Sequence, residues 1–273
     1  MSRSAPIFFD QIKPKKHLGQ VFLKDETVIR KIVSSCNIQK TDTVLEIGPG
    51  PGALTGFLAE RAKKVIAVET DKRFCEKLEK DFQGKNVEII HADFLKCDLG
   101  KFPRNLIAVG NLPYYISSPI IGKILEGRAQ FTSAFFTVQL EFANRLIAKI
   151  STRDYSSLTC FAQYYADVKK MFKISRGSFR PIPKVDSAFV HLQLYKSPPL
   201  KAADEKLLFE IIHTAFQQRR KTILNALNIL YPKSQIASIL ATLDINPQLR
   251  PENLRLEDFI NISNAFPTHA DKT

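Results

Sequence analysis

Asn111-Leu112-Pro113-Tyr114 is the stretch of this chain whose residue types could act on a planar ring bearing an amine. An asparagine amide oxygen and the neighbouring Leu112 carbonyl can both accept from one exocyclic amine, and the tyrosine that closes the motif can stack on the ring. As a bare tetrapeptide it also reads as an ordinary turn. Its position decides between the two: it follows the short apolar run Leu106 to Val109, and substrate chemistry belongs beyond the carboxyl ends of parallel strands.

Three further features stand at the ends of the preceding apolar runs. Gly48-Pro49-Gly50-Pro51-Gly52 follows Thr43 to Ile47 and exposes backbone to which a ligand can come close. The spacing is neither the Gly-x-Gly-x-x-Gly of dinucleotide folds nor a phosphate loop, and Pro49 and Pro51 lack the amides a pyrophosphate would use. A nucleoside-type cofactor or a plain tight turn remain. Glu69 closes the next run, where a carboxylate can accept from ribose hydroxyls in nicotinamide enzymes and methyltransferases alike. Asp93, in His91-Ala92-Asp93-Phe94-Leu95, can accept from an adenine amine while Phe94 offers apolar surface beside the ring.

The elements that must position these groups repeat as strand, turn and helix. A helix capped by Asp25 runs to Ser35, with Val28, Ile29, Ile32 and Val33 facing inward. Strands are expected at Thr43–Ile47, Val65–Glu69, Val87–Ile90, Leu106–Val109 and Ser133–Val138, with helices at Ala53–Ala62, Phe74–Phe82 and Ile116–Leu125 between them. Tyr165–Ile174 and Ser187–Tyr195, either side of a proline-rich turn, read as a closing hairpin. Ser197-Pro198-Pro199 marks a break, and Glu205–Leu230 and Lys233–Leu243 are helical in pattern. The expected architecture is α/β: a Rossmann-like, mostly parallel sheet in residues 1–200 and a small all-helical domain in residues 201–273.

Lysine and arginine number 40 against 27 acidic residues, a formal charge of +13 that suits a polyanionic partner such as nucleic acid. Cys36, Cys75, Cys97 and Cys160 form no CxxC pair, and the 5 histidines form no metal-binding spacing, so no metal is expected. Reduced cysteines, no membrane-length apolar run, and an N-terminal patch, Ile7-Phe8-Phe9, that stops at Asp10 point to a cytoplasmic protein off the membrane.

Taken together, the motifs resemble the ribosomal RNA small-subunit adenine dimethyltransferase family. The matching segments are Gly19-Gln20-Val21-Phe22-Leu23, Glu46-Ile47-Gly48-Pro49-Gly50-Pro51-Gly52-Ala53-Leu54-Thr55, Asn111-Leu112-Pro113-Tyr114, Pro183-Lys184-Val185-Asp186-Ser187-Ala188, Gln218-Arg219-Arg220-Lys221-Thr222 and Arg250-Pro251-Glu252-Asn253-Leu254. The resemblance implies a class I methyltransferase sheet, S-adenosyl-L-methionine as methyl donor, and dimethylation of two adjacent adenosines near the 3′ end of small-subunit rRNA. It implies a monomer acting on that RNA or on a pre-30S-type particle. By the same resemblance Gln20, Val21 and Leu23 border the cofactor, Glu46 and the Gly48, Gly50 and Gly52 turn lie under it, Glu69 holds its ribose, and Asp93 and Phe94 its adenine. Asn111 touches both cofactor and substrate; Leu112, Pro113 and Tyr114 take the base, and Phe179 closes its other face. Arg219, Arg220 and Lys221 join an RNA-facing or interdomain basic surface.

Two positions depart from the family pattern: Val21 replaces the usual asparagine, and Leu140 the usual lysine. Alternatives on the same chemistry are an adenine of large-subunit rRNA or of DNA, and a binding or assembly factor without turnover. The Gln218-to-Thr222 and Arg250-to-Leu254 segments resemble the small-subunit enzymes more closely than the large-subunit ones.

Overall fold

Apolar runs too short for helices become strands, and the amphipathic segments between them become crossovers that cover the sheet. The computed structural model describes residues 14–15 and 19–267; Ile7-Phe8-Phe9 lies outside the described residues. In chain order the elements are β1 (Phe22–Leu23), α1 (Glu26–Ser35), β2 (Thr43–Ile47), α2 (Thr55–Ala59), β3 (Lys64–Glu69), α3 (Lys72–Asp81), β4 (Val87–His91), β5 (Leu106–Asn111), α4 (Ser117–Glu126), β6 (Phe131–Gln139), α5 (Leu140–Leu146), α6 (Ser157–Tyr165), β7 (Ala166–Ile174), β8 (Phe179–Arg180), β9 (Ser187–Leu194), α7 (Glu205–Gln217), α8 (Ile223–Leu227), α9 (Lys233–Thr242) and α10 (Leu256–Asn264).

The chain divides into two compact units, one holding the residues up to Ala143 with Val168–Lys196, the other Asn144–Asp167 with Ser197 onward. In the first, the sheet order is β4-β3-β2-β5-β6-β9-β7. β2 pairs in parallel with β3 and β5, β3 with β4, and β5 with β6, whereas β9 runs antiparallel to β6. From β2 the chain winds outward through β3 and β4, and from β5 through β6 toward the other edge. Between β2 and β5 lies the topological switch, and the crevice beyond their carboxyl ends is where such sheets bind ligands. Glu46 pairs with Val109 across this switch, so the glycine turn after β2 and the Asn-Leu-Pro-Tyr segment after β5 open on the same crevice.

Val44, Leu45, Ala108 and Val109 are wholly buried, as parallel strands covered on both faces require. Asp25 caps α1 by accepting from the Thr27 and Val28 amides, and Ile29, Ile32 and Val33 of that helix enter the core. A second, two-stranded ribbon was not expected from sequence. β1 pairs antiparallel with β8, Leu23 opposite Phe179 and Phe22 opposite Arg180, and the Lys24 amide donates to Ser178 O at 2.9 Å. The proline-rich segment between β7 and β9 is therefore more than the turn of a hairpin, although those two strands do lie side by side in the sheet.

In the second unit α6 packs on α7 through Phe161, Tyr164, Tyr165 and Phe209, whose ring centroids lie 4.8 to 5.7 Å apart. Glu205, at the start of α7, accepts from the Tyr165 hydroxyl at 2.6 Å and from Tyr164 at 3.3 Å. A single cut near residue 200 therefore does not describe the division, because residues 144–167 pack with the helical unit. The helix expected from Glu205 to Leu230 is also two helices: Thr222 turns its hydroxyl to the Asn225 amide and caps α8 as a new start. The expected α/β sheet followed by a helical segment is the architecture observed.

Candidate active site

The pocket at the switch point encloses about 1020 Å³ of empty space including its open mouth. Its floor begins at β2. Gly48, Gly50 and Gly52 all have positive φ, a backbone form that L side chains adopt at a cost. A Cβ on Gly48 would meet nothing within 4 Å, so the turn leaves open space where a ligand can lie on the backbone. Gly50 sits against Phe22, whose Cε1 would be 2.9 Å from an added Cβ. Gly52, expected at the cofactor, does not line the pocket. Its missing side chain makes room for Leu78 of α3, 2.8 Å from where a Cβ would stand, so its role is packing.

Glu46 borders the pocket from within β2 and is 1% exposed, with Oε2 lacking any partner. Burial raises its pKa to about 8, so this carboxyl is mostly protonated at neutral pH. Glu69 ends β3 and braces the turn: its Oε2 accepts from the Gly50 amide at 2.9 Å and its Oε1 from the Asp71 amide at 2.8 Å. Burial raises its pKa, while those amides pull it down. Each carboxylate oxygen can accept more than one bond, so Glu69 keeps capacity for hydroxyls at the pocket wall.

Past β4, Asp93 spends Oδ1 on the Leu95 amide at 3.0 Å, capping the single turn Phe94–Lys96. Both Asp93 and Phe94 line the pocket, the ring buried and the acid exposed. On the opposite side, Gln20, Val21 and Leu23 bring the N-terminal strand across. Gln20 donates to Asp71 Oδ2 at 3.2 Å, Lys15 approaches the same oxygen at 3.4 Å, and Arg73 donates to it at 2.7 Å. The Arg73 guanidinium above all holds the Asp71 carboxyl far below the usual carboxylate range. No sequence signal marked Asp71, since a strand-end acid near lysines is commonplace.

The end of the pocket at Asn111 is built from three segments far apart in the chain. Asn111, last residue of β5, donates from Nδ2 to the Val21 carbonyl at 2.7 Å, which leaves Oδ1 as the acceptor of the amide. Val21 thus contributes its backbone, and the side-chain departure from asparagine leaves this bond intact. The Leu112 amide is tied to Thr137 O at 3.1 Å, which fixes the Asn111–Leu112 peptide, the unit just before the Leu112 carbonyl. Pro113 starts the turn Tyr114–Ile116, and the half-buried Tyr114 shares a hydrogen bond with Ser187 at 2.7 Å. Asp186 beside it accepts from the Arg176 amide and pairs with Lys173 at 2.7 Å, which explains the Pro183-to-Ala188 segment as a bracket for the tyrosine.

Phe179 is placed elsewhere than expected. It is 0% exposed within the hydrophobic core cluster that includes Ile29, Ile32 and Phe189, and it does not line the pocket. It stands opposite Leu23 in the β1–β8 ribbon. Residues the sequence reading missed include Phe22, Ile116, Ile120 and the 59% exposed Tyr115, all at the pocket wall. Arg219, Arg220 and Lys221 lie in the second unit at the turn after α7. Arg219 donates to Arg153 O at 3.2 Å, while Arg220 and Lys221 are exposed.

Among the described residues, no cluster of three or more histidine, cysteine or acidic side chains is placed to hold a metal, and no helix is long and apolar enough to cross a membrane. The four cysteines are free thiols.

A family model described as Ribosomal RNA adenine dimethylase matches residues 11–267. Ribosomal RNA small subunit methyltransferase A of Geobacillus sp. (strain WCH70) is 42% identical over 265 residues, covering 92% of this chain and 91% of that one. The protein of the same name from Clostridium botulinum (strain ATCC 19397 / Type A) is 38% identical over 261 residues, covering 94% and 95%. Among solved structures, a dimethyladenosine transferase from Plasmodium falciparum superposes with a TM-score of 0.77 at 32% identity, covering 88% of this chain and 95% of that one. The 23S rRNA methyltransferase ErmE does so with 0.70 at 30%, covering 89% and 98%. A pocket built on Asn-Leu-Pro-Tyr at the switch point and a match of this extent lead to one conclusion: the chain belongs to the ribosomal RNA adenine dimethylase family.

Proposed function

We propose that this enzyme transfers methyl groups from S-adenosyl-L-methionine to the exocyclic amines of two adjacent adenosines near the 3′ end of small-subunit rRNA. The observation that carries the reading is the Asn111 amide, fixed by Val21 so that Oδ1 accepts within a pocket whose other end offers Glu69 and Asp93. The residues present fit the cofactor: an open glycine turn, an acceptor at the end of β3, and an acid beside an apolar ring after β4. Glu69 would hold the ribose, and Asp93 with Phe94 the adenine; Gln20, Val21 and Leu23 would close over the methionine portion. When bound, S-adenosyl-L-methionine supplies an electrophilic methyl with a neutral leaving group.

The difficulty for the protein is the amine nitrogen, whose lone pair is delocalised into the purine. Asn111 Oδ1 and the Leu112 carbonyl, as acceptors of its hydrogens, favour the geometry in which that pair turns out of the ring plane, and they stabilise the positive charge developing there. Tyr114, locked through its hydroxyl to Ser187, presents its ring to the base and holds the amine in place through both methylations. The proton leaves to solvent, so no strong general base is required.

Access demands that the adenine leave its stack, which costs least in a loop or near a helix end. The formal charge of +13 and the exposed Arg220 and Lys221 favour RNA contact through phosphate. The relatives named for the small subunit favour that RNA, or a pre-30S-type particle, over the large subunit, and a monomer in the cytoplasm is the working assembly. The test is mass-spectrometric mapping after incubating the full chain and S-adenosyl-L-methionine with unmodified small subunits, large subunits and DNA. Two adjacent dimethyladenosines in the small-subunit RNA are expected. Methylation confined to large subunits or DNA would overturn the substrate, and none anywhere, with the cofactor bound, would overturn the activity.

A further inference from the structure

The turn that carries Asp93 and Phe94 follows β4, an edge strand of the sheet; Asp93 and Lys96 are exposed and Phe94 is buried. Its internal ties are short-range: the Asp93 cap, Lys96 N to Asp93 O at 2.9 Å, and Cys97 N to Phe94 O at 3.1 Å. Such bonds shape a turn without fixing where it stands relative to the pocket. Ala92 N to Glu69 O at 2.9 Å ties the residue before Asp93 to β3, and α4 holds the far end of the turn. The Lys123 ammonium donates to Leu95 O at 2.7 Å and also to Cys97 O, and lies 5.7 Å from the Phe94 ring centroid. One turn further along, α4 ends at Gly127, where an added Cβ would stand 2.2 Å from Leu99 Cδ1, so the segment after the turn seats directly on the helix end. Two separate features therefore dock residues 93–99 onto one helix.

That helix begins immediately after the Asn-Leu-Pro-Tyr turn, and its Ile120 also lines the pocket. We infer that Lys123 is a positioning residue for purine recognition in the cofactor site: by clamping the Leu95 and Cys97 carbonyls it holds the Asp93 carboxylate and Phe94 ring at the pocket wall. The inference rests on the cofactor reading above and adds what enforces it. A lysine suits the task because its ammonium can donate to two carbonyls at once while its stem passes the Phe94 ring. In both bonds the lysine donates to backbone carbonyls.

The experiment uses the full chain and two probes, S-adenosylhomocysteine and its counterpart whose purine lacks the 6-amino group, with affinities measured by calorimetry. For Lys123→Met, which keeps the stem and removes the donor, binding of S-adenosylhomocysteine is expected to weaken about tenfold, while the counterpart, which loses only the Phe94 contact, weakens by about threefold or less. Lys123→Arg, which restores donors, should recover most of the preference for the amino purine. Adding Lys123→Met to Asp93→Ala should cost the 6-amino preference little further, because both act on one contact. Unchanged preference in Lys123→Met, or equal losses for both probes, would overturn the inference. Failure of the parent protein to bind either probe would instead overturn the cofactor reading, and the inference with it.

Discussion

Asn111 Nδ2 and the Val21 carbonyl meet at 2.7 Å although 90 residues separate them in the chain. The bond engages the amide nitrogen and leaves Oδ1 able to accept. Asn111→Ala removes that acceptor and is expected to lower kcat about a hundredfold while the fold is retained. Val21→Asn leaves the backbone carbonyl in place and should change kcat less than about threefold. Single-turnover methylation of small subunits by both variants checks the pair.

Tyr114 and Ser187 form the second cross-chain tie, at 2.7 Å. Removing the Tyr114 hydroxyl strands the fully buried Ser187, and removing Ser187 strands the half-buried Tyr114 hydroxyl. Tyr114→Phe and Ser187→Ala should each lower activity several-fold, and the double variant should fall short of their product, with a coupling of about 1 kcal/mol. Tyr114→Ala, which also removes the ring, should be far worse than Tyr114→Phe.

Glu46 predicts a pH dependence. Its folded pKa of about 8 lies above the ordinary 4.5, so the folded state binds the extra proton. Stability from this group is complete below about 4.5 and is lost as the pH rises toward 8. Glu46→Gln, neutral at every pH, should flatten the fall of Tm across that window and raise Tm at its upper end. Thermal denaturation at a series of pH values would show this, and parallel curves for the two proteins would refute it.

The three basic residues after α7 should separate. Arg220→Ala and Lys221→Ala are expected to reduce the slope of log affinity for RNA against log salt by roughly one unit each, without affecting cofactor binding. Arg219 is already bonded to Arg153 O, so Arg219→Ala should show more in Tm than in the salt slope. Titrations of a small-subunit RNA fragment at several salt concentrations distinguish them.

Gly52→Ala tests packing at the glycine turn. With φ at +90° and Leu78 Cδ2 2.8 Å from the added Cβ, the substitution should cost about 1–3 kcal/mol of stability. Chemical denaturation measures it.

Much of the first unit was legible because its signals are local. Apolar runs of strand length alternating with amphipathic segments gave the parallel sheet nearly element by element, and Asp25 announced the start of α1. The helix expected from Ala53 starts only at Thr55, since the left-handed glycine turn extends to Gly52 and Leu54 offers no capping side chain. Gly52 and Phe179 could not be assigned from motif position, because a motif records residue type and the packing partners, Leu78 for one and the core beneath β1 for the other, are supplied by distant segments.

By itself the sequence determined the strands, the glycine turn, the basic charge and the Asn-Leu-Pro-Tyr segment, all of which depend on neighbours within a few residues. Only the tertiary structure decided that β1 pairs with β8, that residues 144–167 join the helical unit, that Val21 orients Asn111 and Ser187 steadies Tyr114, and that Lys123 holds the Asp93 turn. Each of those is a contact between segments far apart in the chain, formed because buried donors and apolar faces must find partners wherever the fold brings them.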